Sequence, residues 1–183
     1  MMSTLLVFGR SKLHENTFKP KLIQGFSLVE LIVAIAILGI LSAVAIPSFN
    51  ETILSFKMRS YANELVGHTY LARGEAIKIN APVTICVSTN GTSCSTAASW
   101  EDGWIVLSGT NVIQRQGAAA TGYKITEFAG LKSLIFQPTG IGATLAQFTI
   151  CKATPAAGSQ ERVVRISATG RPSVSKTSNG SCA

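Results

Sequence analysis

Glu30 lies at the head of an uncharged run, Leu31–Ile46, and directly after Gly25-Phe26-Ser27-Leu28-Val29. A carboxylate inside a membrane helix carries a penalty of roughly 2.5 to 3.5 kcal/mol, so a residue of this kind marks a function or a partner. Pairing with a cation makes such a charge tolerable. Four cysteines form the second reactive set: Cys86, Cys94, Cys151 and Cys182 all follow the apolar run. Three pairings of four thiols exist. Joining Cys86 to Cys94 and Cys151 to Cys182 is the most economical, and the second bond ties down a tail poor in apolar residues that would otherwise be disordered. No Cys-x-x-Cys pair is present and His68 is far from the cysteines, so disulfides are expected and a metal site is not. His14 and His68 are the two histidines. His68 falls on a helical pattern, where a partly exposed structural histidine is expected. Glu101 and Asp102 sit in the turn-like Trp100–Trp104 stretch, which reads as a solvated loop. With no hydrolase elbow, phosphate loop or histidine-rich spacing, the chain is not expected to be an enzyme or to hold a cofactor.

The formal charge is +7, of which Arg10, Lys12, Lys19 and Lys21 against Glu15 place +3 in the first 25 residues. A basic flank stays on the cytoplasmic side when an apolar segment inserts, so the rest of the chain is expected outside it, where thiols are oxidised. The remaining +4 resides in Lys152, Arg162, Arg165, Arg171 and Lys176 against Glu161. Such a strip can contact DNA phosphates, with Arg171 first and Arg162, Arg165 and Lys176 in support. The competing reading is a solvated basic edge.

These residues need elements to hold them. Residues 1–25 show no apolar period and read as a leader. From Phe26 to Ile79 the pattern predicts one long helix, with Gly39 and Pro47 as the places where it can bend or lose helix. Past Pro47, Leu54, Met58, Tyr61, Leu65, Ala72, Ala76 and Ile79 recur at spacings of three, four and seven and form one apolar stripe. Strands are expected over Val83–Val87, Trp104–Leu107, Val112–Gln114, Tyr123–Thr126, Ser133–Phe136, Gln147–Cys151 and Arg162–Ile166, rich in β-branched and aromatic residues between turn signals. Segments 117–120 and 140–143 read as flexible connections. The fold class is therefore α+β, with a long N-terminal helix packed on antiparallel sheet.

The start of the chain resembles the class III signal of type IV prepilins and type II secretion pseudopilins: a basic leader ending in Gly25, then Phe26, with Glu30 as the fifth residue after the junction. Four later stretches, Leu71–Ile77 (LARGEAI), Trp100–Trp104 (WEDGW), Phe136–Gly140 (FQPTG) and Ser167–Arg171 (SATGR), are similar to the GspH/FimT family of minor pilins and pseudopilins. The resemblance implies cleavage by prepilin peptidase between Gly25 and Phe26, N-methylation of Phe26, and pairing of Glu30 with the N-terminal amine of a neighbouring pilin subunit. It also implies the pilin-like fold, with residues 1–25 as leader, 26–48 as the transmembrane and filament-assembly half of the helix, and 49–183 as the periplasmic domain including the helix's second half.

On this resemblance the expected location is the inner membrane, single pass, and after assembly the pilus or pseudopilus. The expected role is a minor type IV pilin, the alternatives being a GspH-type secretion pseudopilin and a DNA-binding minor pilin for transformation. FimT-like pilins that bind DNA carry Gly-Arg-x-Arg near the C-terminus; Gly170-Arg171-Pro172-Ser173 keeps the first arginine and has serine for the second. Ala43-Val44-Ala45 is also a small-residue site for an ordinary signal peptidase, which would discard the stem. The charge inside the apolar region and the long leader stand against that cut.

Overall fold

The computed structural model describes residues 25–141, 143–153, 160–177 and 182, with side chains except those of 44–48 and 50. The expected leader up to residue 24 and the side chains at the alternative Ala43-Val44-Ala45 cut beyond Ala43 lie outside the described residues. The chain divides into two units, Met1–Ala43 and Val44–Ala183.

Helix α1 spans Leu28–Ile79. It begins two residues later than the apolar pattern suggested because Ser27 acts as its cap: the Glu30 backbone N–H donates to Ser27 Oγ at 3.2 Å. The helix backbone continues through Gly39 and Pro47. In the first unit its large apolar side chains are exposed on every side, from Leu28 and Val29 through Ile40 and Leu41. Among the described residues, which leave out the side chains of 44–48 and 50, no helix is long and apolar enough to cross a membrane.

The second unit is built on the stripe. Leu54, Met58, Tyr61, Leu65, Ala72 and Ala76 are buried, and Ala62 joins them. Ile79, expected on the same face, is 40% exposed because the helix ends there and Asn80 turns the chain with a positive φ. Burying a side chain of this size contributes about 1.5 to 3 kcal/mol, so the stripe fixes which face of the helix the sheets cover.

Among the described residues eight strands follow: β1 (Val83–Val87), β2 (Trp104–Ser108), β3 (Asn111–Gln116), β4 (Tyr123–Glu127), β5 (Ser133–Phe136), β6 (Ala146–Lys152), β7 (Glu161–Ile166) and β8 (Pro172–Thr177). All pairings are antiparallel, in two four-stranded sheets ordered β3-β2-β1-β5 and β4-β6-β7-β8. Alternate residues of both sheets meet the helix stripe in one core, including Ile85, Trp104, Phe136, Ile125, Phe148 and Val164. Period-two alternation accounts for this, since one face of each strand is apolar and the other polar.

Strand β8 extends the sheet beyond the strands expected from the sequence, and it takes in the first residues of the tail, Ser175 to Thr177, in a chain whose Cys151–Cys182 bond is closed. Its segment has one large apolar residue, Val174, so burial does not drive it; the ladder to β7 does, with Val164 opposite Val174 and Arg162 opposite Lys176. Pro172 opens this edge strand, where a missing N–H is tolerated. The connection 117–120 also differs from the flexible link expected. Ala119 N–H donates to the Glu101 carbonyl at 2.7 Å and Ala120 N–H to Tyr61 Oη at 2.8 Å, which pin the segment to the helix and to the Trp100 turn.

Candidate functional site

The residues around Glu30 form a helix start. Ser27-Leu28-Val29-Glu30 has the Ser-x-x-Glu order of a capping box, and the Ser27 hydroxyl and carbonyl accept from the N–H groups of Glu30 and Leu31. An acidic side chain in a first turn is favoured by the helix dipole. The Glu30 side chain is exposed and accepts no hydrogen bond from another described residue. Gly25 and Phe26 precede the cap outside the helix, and Phe26 is 83% exposed. The arrangement therefore presents an acidic group and an aromatic residue at the head of an apolar helix whose side chains, in this unit, are covered by nothing described. A contiguous apolar surface of this extent marks an interaction face.

The cysteines pair as Cys86–Cys94 and Cys151–Cys182, with Cα–Cα distances of 5.5 and 5.7 Å. The first closes an eight-residue separation over a loop held by Asn90 Oδ1, which accepts from the N–H groups of Thr92 and Ser93. The second spans 31 residues and brings Cys182 to the end of β6. Among the described residues no group of three metal-binding side chains exists.

His68 takes a structural part. Trp104 Nε1 donates to His68 Nδ1 at 2.8 Å, the two rings meet edge-on, and burial holds the imidazole below its usual pKa. The Trp100–Asp102 stretch is a 3-10 turn rather than a loose solvated loop: Ser99 N–H donates to Asp102 Oδ2 at 2.8 Å, and Lys124 Nζ reaches Glu101 Oε1 at 3.0 Å. Gly103 ends the turn at φ 111°, and a Cβ there would stand 2.6 Å from the Gln116 carbonyl. Glycine is required at that position.

Three of the four family-like stretches, weak singly in the sequence, converge on Arg73. Arg73 Nε donates to the Gly140 carbonyl at 3.2 Å. Gly170 is packed so closely that a Cβ would lie 3.0 Å from Arg73 Cδ and 3.4 Å from Phe136 Cδ1. One arginine of the helix thus locks the turns after β5 and β7, and the tryptophan of the remaining stretch binds the same helix through His68. Their task is architectural, which sequence separation conceals.

The basic residues separate into two places. Residues 162 and 165 have opposite parity on β7, so their side chains leave opposite faces. Arg162 is buried against the helix, where Nη2 donates to Ser55 Oγ at 3.0 Å, and with Lys176 and Arg59 it lines a groove of about 870 Å³. Arg165 instead donates from Nε to Gln147 Oε1 at 2.8 Å, and with Arg171 it borders a depression of about 530 Å³ beside Phe128. Glu127, which the sequence reading did not single out, is 5% exposed at the floor of that region. Its Oε2 accepts from Ala129 and Leu131 N–H at 2.8 Å each, and Oε1 from Gln147 N–H at 3.2 Å. It fixes the turn between β4 and β5.

A capped apolar helix, an amphipathic continuation and two antiparallel sheets on its stripe define the pilin-like class of subunit. Residues 61–170 match the family described as type II transport protein GspH, and residues 21–46 match the prokaryotic N-terminal methylation motif. The chain belongs to the GspH family and is a structural subunit of the minor pilin and pseudopilin kind. Among solved structures it is similar in fold to the type IV minor pilin FimU of Pseudomonas aeruginosa, at 20% identity and a TM-score of 0.51, over 66% of this chain and 90% of that one. The minor pseudopilin EpsH of the Vibrio cholerae type 2 secretion system aligns at 12% identity and a TM-score of 0.46, over 65% of this chain and 96% of that one. No curated protein sequence matches the chain.

Proposed function

We propose that this chain is a minor type IV pilin, cleaved by prepilin peptidase between Gly25 and Phe26, methylated on Phe26, and anchored in the inner membrane by residues 26–48 with its disulfide-bonded domain in the periplasm. The observation that carries the reading is the exposed apolar helix with Glu30 in its first turn. Every large side chain from Leu28 to Leu41 is solvent-facing, and each Leu or Ile buried would contribute about 1.5 to 3 kcal/mol. Lipid covers such a surface before assembly, and the helices of other pilins cover it afterwards. In that packed setting an unpaired carboxylate is costly, and the amine of a neighbouring Phe26-type N-terminus removes the cost.

The Cys151–Cys182 closure of the tail supports a pilus role over the secretion pseudopilus, since it resembles minor pilins of the pilus system. Glu30→Ala is expected to leave the protein in the membrane fraction while it drops out of sheared filaments. A deletion strain is expected to lose twitching and keep exoprotein secretion. Lost secretion with normal twitching would transfer the chain to the secretion system. Incorporation of Glu30→Ala at the wild-type level would remove Glu30 from assembly.

A further inference from the structure

The groove between the second half of α1 and the β7-β8 edge has a composition that the subunit role does not use. Its lining carries Arg59, Arg162 and Lys176 against one acidic residue, Glu51. Arg162 is 8% exposed, and its bonds to Ser55 Oγ and to the Glu161 carbonyl go to neutral oxygens. Lys176 stands directly opposite it across the ladder, on the same face. Burial, and after it repulsion from Arg59 on the helix, lowers the Arg162 guanidinium's pKa. Three cations against one carboxylate leave a local excess of positive charge at a partly desolvated floor, which a bound anion would offset.

Beside the cations lies an apolar strip. Phe49, Ile53 and Phe56 are spaced four and three apart and so share one helix face. They are 70%, 49% and 64% exposed, and Phe56 also lines the groove. Leu54, Met58, Tyr61 and Leu65 point to the core, so this strip occupies the flank away from it. A ligand that satisfies both surfaces has a negative head and an attached hydrocarbon. Duplex DNA has no hydrocarbon to place on Phe49 and Ile53, and an acidic peptide leaves most of the strip in water. Aromatic and apolar side chains beside basic ones are the signature of a helix surface seated at an anionic bilayer.

We propose that this groove binds the phosphate headgroup of an anionic phospholipid, with Arg59, Arg162 and Lys176 on the phosphate and Phe49, Ile53 and Phe56 against the glycerol and upper acyl chain. The inference rests on the membrane-anchored reading. It implies that the subunit's domain is held against the leaflet before assembly and must release lipid to enter a filament.

The full mature chain, purified in a non-ionic detergent, is mixed with phosphatidylglycerol or phosphatidylcholine, and retained lipid is read by native mass spectrometry. Wild type is expected to retain phosphatidylglycerol in preference. Arg59→Gln/Lys176→Gln, both at exposed positions, is expected to lower that preference by about thirtyfold, the effect of two basic residues near an anionic surface. Lys124→Gln, away from the groove, is expected to leave it unchanged. Equal retention of the two lipids by wild type, or a preference that survives the double substitution, overturns the inference. So does displacement of the lipid by a short DNA duplex at equal concentration. Recovery of the chain from the soluble fraction overturns the anchoring instead, which separates the two failures.

Discussion

Glu127→Ala removes a buried carboxylate that organises the turn between β4 and β5. Three backbone N–H groups, of Ala129, Leu131 and Gln147, lose their acceptor. An unsatisfied buried donor costs about 1 to 3 kcal/mol, but these bonds are only part-buried and water enters once the side chain is gone, so the sum is about 3 kcal/mol. For a chain of this size each kcal/mol lowers Tm by roughly 2 to 4 °C, which gives a fall of roughly 6 to 12 °C. Glu127→Gln separates hydrogen bonding from shape. Its single carbonyl can take over the two 2.8 Å bonds at the Oε2 position, while its NH2 group faces the Gln147 N–H and loses the longest one. The expected cost is about 1 kcal/mol. Circular dichroism melting of the detergent-solubilised mature chain reads both. The reasoning is refuted if Glu127→Ala melts within 2 °C of wild type by about the precision of the method, or if Gln is as damaging as Ala.

Replacing Cys151 and Cys182 together by Ser opens the loop of 31-residue separation and is expected to cost about 3 to 4 kcal/mol by chain entropy, measured as a shift in the urea midpoint. Because β8 is held by the β7 ladder, amide exchange in Val174 and Lys176 should quicken while their pairing persists; exchange at the unfolded rate would show that the bond alone orders the strand. His68 makes stability depend on pH. Its folded pKa lies below the unfolded value of 6.5, so its contribution is complete above that value and falls as pH drops from 6.5 toward the folded pKa. The urea midpoint should therefore be lower at pH 5.5 than at 7.5, and His68→Gln should reduce that difference; an unchanged difference assigns it to other groups.

How far the sequence carried the account depended on the range of the interactions. The stripe from Leu54 to Ala76 and the β-branched cores of β1 to β7 follow from local periodicity, and the structure places them accordingly. Strand β8 was hidden because Pro172–Thr177 is held by a backbone ladder that side-chain pattern does not report. The Arg73 junction was hidden for another reason: its partners Gly140 and Gly170 are remote in the chain, and only folding brings the glycines against the guanidinium. Glu127 gave no signal, since an acid closing a strand usually faces water. Arg162 and Lys176 form one linear strip with Arg165 and Arg171 in the sequence; alternation along β7 divides them, and the helix adds Arg59 to the first pair. Conversely, the Ser27 to Glu30 cap is legible in the Ser-x-x-Glu order of the four residues themselves.

The central claim is that the chain begins its working life at Phe26. Intact and top-down mass spectrometry of the protein purified from membranes tests it directly. The expected species starts at Phe26, carries one additional methyl group on that residue, retains the apolar stem, and contains both disulfides. A protein that still carries residues 1–25, or one that starts after Ala45 with the stem lost, would contradict the account.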